Sequence, residues 1–170
     1  MKGTSERLPL INNPHFAGIG GPFQCAAVNR KLVLLGGITK SVYIYDFESA
    51  RWSRRADMPT HRYSFACSVD SSTGLVYIAG GIGVYHAGRV GVDEPLNPLV
   101  GTRPLAAAEV YNVEEDKWEI MPPMIQTQGS GCHGVFMEGK FIVLRKDISA
   151  EVFDLSGKTW RRWEDILVLG

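Results

Sequence analysis

The side chains with most chemistry to offer are His15, His61, His86 and His133, Cys25, Cys67 and Cys132, and the glutamates Glu109 and Glu151. Zinc sites use CxxC pairs or histidines one helical turn apart. These histidines have no i, i+4 spacing and the chain has no CxxC, so no metal site and no cofactor is expected. His61, His86 and Tyr85 would meet only if separate loops share one end of the fold. The cysteines are odd in number and the N-terminal MKGTSERLPLINNP has no apolar signal core, so they read as reduced thiols. Each falls near a strand start, where a small buried hydrophobe fits. The GIGG of Gly18–Gly21 precedes a strand and lacks a Gly-Lys-Ser/Thr ending, so it is not a phosphate loop. Glu109 and Glu151 stand among apolar neighbours, and a buried carboxylate needs a partner. Arg62, ten residues after Trp52, is the expected partner; the residue ten after Trp118 is the neutral Gln128. That reading is an internal structural pair, and no residue is assigned as catalytic.

The elements that position these groups repeat. GLVYIAGG at Gly74–Gly81 is a short β-branched, aromatic run ending in paired glycines, the pattern of a buried strand that then turns tightly. KLVLLGG, Lys31 to Gly37, and KFIVLRK, Lys140 to Lys146, repeat it, the last with Leu144-Arg145 in place of the glycines. Around each run the pattern predicts four strands. They are Phe23–Val28, Leu32–Leu35, Ser41–Phe47 and a strand opened by Trp52. Next come Ser64–Val69, Leu75–Ala79, Ala108–Val113 and Trp118–Met121. Last are Cys132–Met137, Phe141–Leu144, Ala150–Leu155 and Thr159–Trp163. Four antiparallel strands ending in a tryptophan make one propeller blade. The chain divides into an irregular leader at 1–21 with one short strand expected around Leu8–Ile11, blades at 22–59, 60–124 and 125–166, and a tail at 167–170. Gly36, Gly37, Gly80 and Gly81 serve the turns, and Trp52, Trp118 and Trp160 fill the wedges between blades. Trp163 has no counterpart and either covers the open end or is exposed.

Gly36 and Gly80 lie 44 residues apart and Trp118 and Trp160 lie 42 apart, but Trp52 and Trp118 lie 66 apart. The excess places an insertion at 82–105, rich in Gly and Pro and carrying Tyr85, His86, Arg89, Asp93 and Arg103; insertions this long in compact domains are usually functional or disordered.

Composition narrows the classes. The chain has 170 residues, 45% of them hydrophobic, enough for one sizeable core. Lys plus Arg number 18 and so do Asp plus Glu, which gives no reason to expect nucleic acid or an anionic membrane as partner. No apolar run approaches a membrane helix in length. Arg51, Arg54 and Arg55 read as a solvated strand edge.

The glycine pairs, the E-x-aromatic-D/N of strand three (Glu109 to Asn112, Glu151 to Asp154) and the spaced tryptophans resemble kelch repeats. SVYIYDFESARWSRRADMP with HRYSFACSVDSSTGLVYIAGG resembles the plant F-box/kelch-repeat proteins, and the likeness covers roughly 23–165. The resemblance implies an all-β, kelch-type β-propeller segment of three four-stranded antiparallel blades. It implies the substrate-binding portion of a cullin-type ubiquitin-ligase adaptor that sends phenylpropanoid enzymes or signalling regulators to the proteasome, in the cytoplasm or nucleus. Competing readings are a metal-dependent kelch enzyme or specifier protein, and a truncated product without its own function. The F-box is expected to be absent, so a Skp1-type linker is not an expected partner. Three blades fall short of the about four a closed propeller needs. Two terminal blade faces would then be uncovered and self-association is expected.

In such blades the loops between strands two and three open on the same face as those joining strand four to the next blade. Lys40, His61, Tyr63, Tyr85, His86, Arg89, Gln126 and Arg145 are the candidate partner-binding residues on that face. The turns Glu48–Ala50, Asp70–Gly74 and Glu138-Gly139 belong to the opposite one.

Overall fold

The computed structural model describes residues 23–37, 39–85 and 101–164, with the Tyr85 side chain excepted. The leader with Leu8–Ile11, His15 and Gly18–Gly21, the insertion residues His86, Arg89 and Asp93, and the tail at 167–170 lie outside the described residues.

Three four-stranded antiparallel sheets follow one another. Sheet one runs β1 (Phe23–Val28), β2 (Lys31–Gly36), β3 (Val42–Asp46), β4 (Arg51–Arg55) in spatial order. Sheet two is β6 (Ala66–Asp70), β7 (Leu75–Ala79), β10 (Ala108–Asn112) and β11 (Lys117–Met121). Sheet three is β12 (His133–Met137), β13 (Lys140–Leu144), β14 (Ala150–Asp154) and β15 (Thr159–Arg162). A small three-stranded sheet interrupts the second repeat: β5 (Arg62–Tyr63) pairs with β8 (Ile82–Tyr85), which pairs with β9 (Gly101–Pro104).

That small sheet departs from the sequence reading in two places. The strand expected from Ser64 begins at Ala66, because Ser64 turns the chain with φ of 53°. The two ends of the insertion, expected as one loop, zip together as β8 and β9 and take Arg62 and Tyr63 as an edge partner.

Local chemistry sets the turns. Asn29 and Arg30, with φ of 44° and 61°, form the two-residue turn whose twist suits the β1–β2 hairpin. The D/N that ends each third strand caps the following turn. Asp46 Oδ1 accepts from the N–H of Glu48 and Ser49, Asn112 Oδ1 from Glu114 and Glu115, and Asp154 Oδ1 from Ser156. The N–H groups of Ser49 and Glu48 hold the Asp46 carboxyl, and the Ser156 hydroxyl with its N–H holds that of Asp154, below the usual carboxylate range.

Alternation within the central strands makes the core. Val33, Leu35, Val42 and Ile44 of sheet one meet Val76, Ile78 and Tyr111 of sheet two. The opposite face of sheet two, with Tyr77, Ala79 and Ala108, meets Phe141, Val143, Phe153 and Trp160 of sheet three. Each later tryptophan also reaches back across the wedge: Trp118 Nε1 donates to Ala56 O at 3.0 Å and Trp160 Nε1 to Pro122 O at 2.8 Å. Trp52 lies tilted against Tyr45 within its own sheet, ring centroids 5.1 Å apart. Gly134 lets the inner strands approach, since a Cβ there would lie 2.6 Å from Cys67 O. Of the basic strand edge, Arg51 and Arg54 are exposed and Arg54 pairs with Asp57 at 2.8 Å, whereas Arg55 is half-buried.

The thiols divide differently from the expectation that all three are small core residues. Cys132 is buried and Cys67 half-exposed by residue, but Cys25 is exposed, because β1 is an innermost strand with alternate residues open. Burial, aided by neighbouring Cys25, pushes the Cys67 thiol up to about 12, and burial raises Cys132. A thiol-specific chromogenic reagent at pH 8 is therefore expected to label Cys25 quickly and Cys67 and Cys132 only on unfolding. Prompt labelling of Cys67 in the folded protein would contradict this.

Candidate functional site

One repeated backbone bond knits the two kinds of loop together. Met58 N donates to Lys40 O and Met124 N donates to Ala106 O, each at 2.8 Å. Lys40 and Ala106 each stand two residues before a third strand, and Met58 and Met124 six residues after a tryptophan. The strand-two-to-three segments and the exit loops therefore share one end of the sheets. The hairpin turns holding Glu48, Ser71 and Glu138 connect the strands at the other end. That end has its own cross-link between repeats, Lys31 to Glu114 at 2.7 Å.

At the loop end, Lys40, His61, Tyr63, Gln126 and Arg145 are all half-buried. Tyr63 lies in β5, and His61 just before it accepts from Val84 N through its carbonyl at 3.0 Å. The exit loop of sheet two is tied to the insertion by mutual bonds between Leu105 and Gln128. Tyr85 closes β8, so its backbone stands beside this loop cluster; His86 and Arg89 are outside the described residues.

The structure brings Gln126 and Arg145 into contact: Arg145 Nη1 donates to Gln126 Oε1. Gln128, its amide oxygen turned to Arg145, accepts from Nε and, at 3.2 Å, from Nη2. Arg145 is thus fixed chiefly by neutral acceptors, with Asp147 at 4.0 Å. Ser149, through its hydroxyl and N–H, holds the Asp147 carboxyl below its usual range. Gln126, Arg145, Asp147 and Ser149, with Arg162 and Glu164, line a polar depression of about 190 Å³. It presents charges of both signs and hydrogen-bonding groups, a surface for polar side chains of a partner.

The internal carboxylates are held in two different ways. Arg62 and Glu109 are buried at 0% and 1% exposure and pair at 2.8 Å. Arg62 Nη1 also donates to Gly80 O at 3.1 Å and Ala107 O at 2.7 Å, and the Thr60 hydroxyl donates to Glu109. Glu151, whose expected partner was Gln128, instead accepts from the backbone N–H of Ile125 at 2.7 Å and Gln126 at 3.1 Å. Pro59 stands where Ile125 does in the repeat and has no N–H to give. Glu109 therefore draws on the Thr60 and Arg62 side chains, and its Oε2 has no partner among the described residues. Gln128, released from Glu151, holds Arg145. Among the described residues no three His, Cys, Asp or Glu side chains gather as metal ligands.

Sheets, glycine turns, wedge tryptophans and buried glutamates together define a kelch-type propeller segment. The chain belongs to the kelch family: the Kelch motif matches residues 20–59 and 65–125. Among curated proteins it is similar to F-box/kelch-repeat proteins of Arabidopsis thaliana. One is 31% identical over 165 residues, covering 85% of this chain and 38% of that protein. A second is 32% identical over 111 residues, covering 65% and 26%. A third is 31% identical over 178 aligned residues, covering 94% and 44%. The chain spans less than half the length of these relatives.

Proposed function

We propose that this chain is a non-catalytic protein-recognition module, the substrate-binding kelch portion of a ubiquitin-ligase adaptor. On this reading it delivers target proteins, phenylpropanoid enzymes or signalling regulators, for proteasomal degradation in the cytoplasm or nucleus. The observation that carries the reading is the convergence of exit loops, strand-two-to-three loops and the paired ends of the insertion at one end of a rigid stack of sheets. Loops on such a scaffold supply recognition, and arginine and tyrosine are favoured interface anchors. The similarity to F-box/kelch-repeat proteins supports the ubiquitin-ligase part of the reading. The partner assigned to these 170 residues is the target, not a Skp1-type linker.

The test compares capture from a plant extract by the wild type and by single alanine variants. Tyr85→Ala, Arg89→Ala and Arg145→Ala are expected to weaken retention of a specific protein about thirtyfold each, on the order of 2 kcal/mol. Glu48→Ala and Ser71→Ala, at the other end, should leave it unchanged. Equal losses from both ends would mean that the loop end is not the recognition face. Metal analysis of the purified protein is the second check: stoichiometric iron or copper would favour an enzyme.

A further inference from the structure

The loop end carries two exposed isoleucines, Ile125 at 49% and Ile148 at 88%. Single apolar residues are ordinary on a protein surface; what sets these two apart is how their backbone is held.

Ile125 lies in the exit loop that joins sheets two and three. Its N–H and that of Gln126 each donate to one oxygen of Glu151, at 2.7 and 3.1 Å. That carboxylate is 1% exposed, so a buried anion pins the loop from beneath while the Ile125 side chain stays half in solvent. The Gln126 side chain is fixed in turn by Arg145.

Ile148 lies in the turn between β13 and β14. Arg145 N donates to Ser149 O at 2.9 Å, and Ile148 N donates to Arg145 O at 3.0 Å. The corresponding turn of sheet one closes from Gly36 N to Ser41 O and is one residue longer. Asp147 Oδ1 accepts from the N–H and the hydroxyl of Ser149 and locks the tighter turn. In it Ile148 has φ of 69°, the left-handed region that glycine and asparagine adopt and that a branched Cβ disfavours. Isoleucine there costs stability, and a side chain so exposed recovers little of that cost through packing. Backbone strain of this kind collects at ligand clamps and switch regions.

Both isoleucines border the same polar depression. Ile125 precedes Gln126, and Ile148 stands between Asp147 and Ser149, three residues of its lining. We propose that Ile125 and Ile148 are the apolar anchors with which the loop end grips its target. The partner they fit is a protein surface with apolar pockets beside polar groups that meet Arg145 and Asp147. The inference rests on the loop end being the recognition face. Binding energy at protein contacts concentrates in a few side chains that fill pockets, ringed by polar contacts, and a short side chain on pinned backbone leaves little to order on contact.

The probe is the protein that the wild type retains most strongly from a plant extract, purified and titrated against the whole chain and its variants. Ile148→Gly relieves the left-handed strain, so its melting midpoint should rise by about 2–4 °C while affinity falls about tenfold or more. Ile125→Ser keeps the N–H that Glu151 needs, so it should lose affinity by about tenfold with unchanged melting. Unchanged affinity in either isoleucine variant overturns the inference, as does a lower melting midpoint for Ile148→Gly, which would make Ile148 a packing residue. Arg145→Ala separates the causes: if it still weakens binding, the recognition face stands and only the anchors are wrong. If it too binds normally, or if the wild type retains no specific protein, the inference falls together with the face it rests on.

Discussion

Arg62→Ala is expected to destabilise the protein by about 3 kcal/mol or more while leaving the surface end of the loops in place. The guanidinium has no exposure and satisfies the carbonyls of Gly80 and Ala107 together with Glu109. Truncation strands a carboxylate at 1% exposure with Thr60 as its remaining donor, takes the guanidinium donor from Gly80 O, and leaves Ala107 O with the N–H of Gly80. For a domain of this size each kcal/mol is worth about 2–4 °C, so the melting midpoint should fall by about 6–12 °C. The cost is that of a broken pair rather than the net worth of an intact one, so Arg62→Met with Glu109→Leu should recover much of the loss. Gln128→Ala, at the equivalent position, should cost only about 1 kcal/mol, because Glu151 is served by backbone N–H groups. A normal melt for Arg62→Ala, combined with lost partner capture, would move this arginine from the frame into the recognition site.

The contrast between those glutamates shows how far the sequence can be read. A charge inside an apolar strand demands a partner, and the spacing of Arg62 from Trp52 points to one. Carrying the same spacing to Gln128 fails because the demand is for N–H donors of any origin. Ile125 has a backbone N–H where Pro59 has none, so one blade needs an arginine and the other does not. The strands and the tryptophan wedges were legible because their signals are local and repeat. The ends of the insertion were not: Gly101 and Pro104 are poor strand formers that bracket Thr102 and Arg103, and pairing with distant Ile82–Tyr85 makes the four a strand. The contact of Arg145 with Gln126 and Gln128 joins two loops and has no local signature.

Gly81→Ala should cost about 3 kcal/mol, whereas Gly139→Ala should cost about 1, although both glycines have positive φ. Gly81 has φ of 85° and Gly139 of 69°, so the backbone penalty of a side chain is similar. Their surroundings differ. A Cβ on Gly139 would meet nothing within 4 Å, while one on Gly81 would sit 2.6 Å from Tyr63 O and 2.9 Å from Phe65 Cα. Those are backbone atoms of the segment that joins β5 to β6, and they cannot swing aside as a side-chain tip can. Relief must come from displacing the segment, which would pull Arg62 away from Gly80 O and loosen the β5–β8 pairing. Because β8 ends at Tyr85, the loss should also reach the loop end. Thermal melts of the two variants, with the capture assay run well below their midpoints, separate the effects. Gly81→Ala is expected to lose both stability and partner retention, and Gly139→Ala a little stability alone. Equal melting losses would mean that φ, and not the close approach of Tyr63 and Phe65, sets the demand for glycine at this turn.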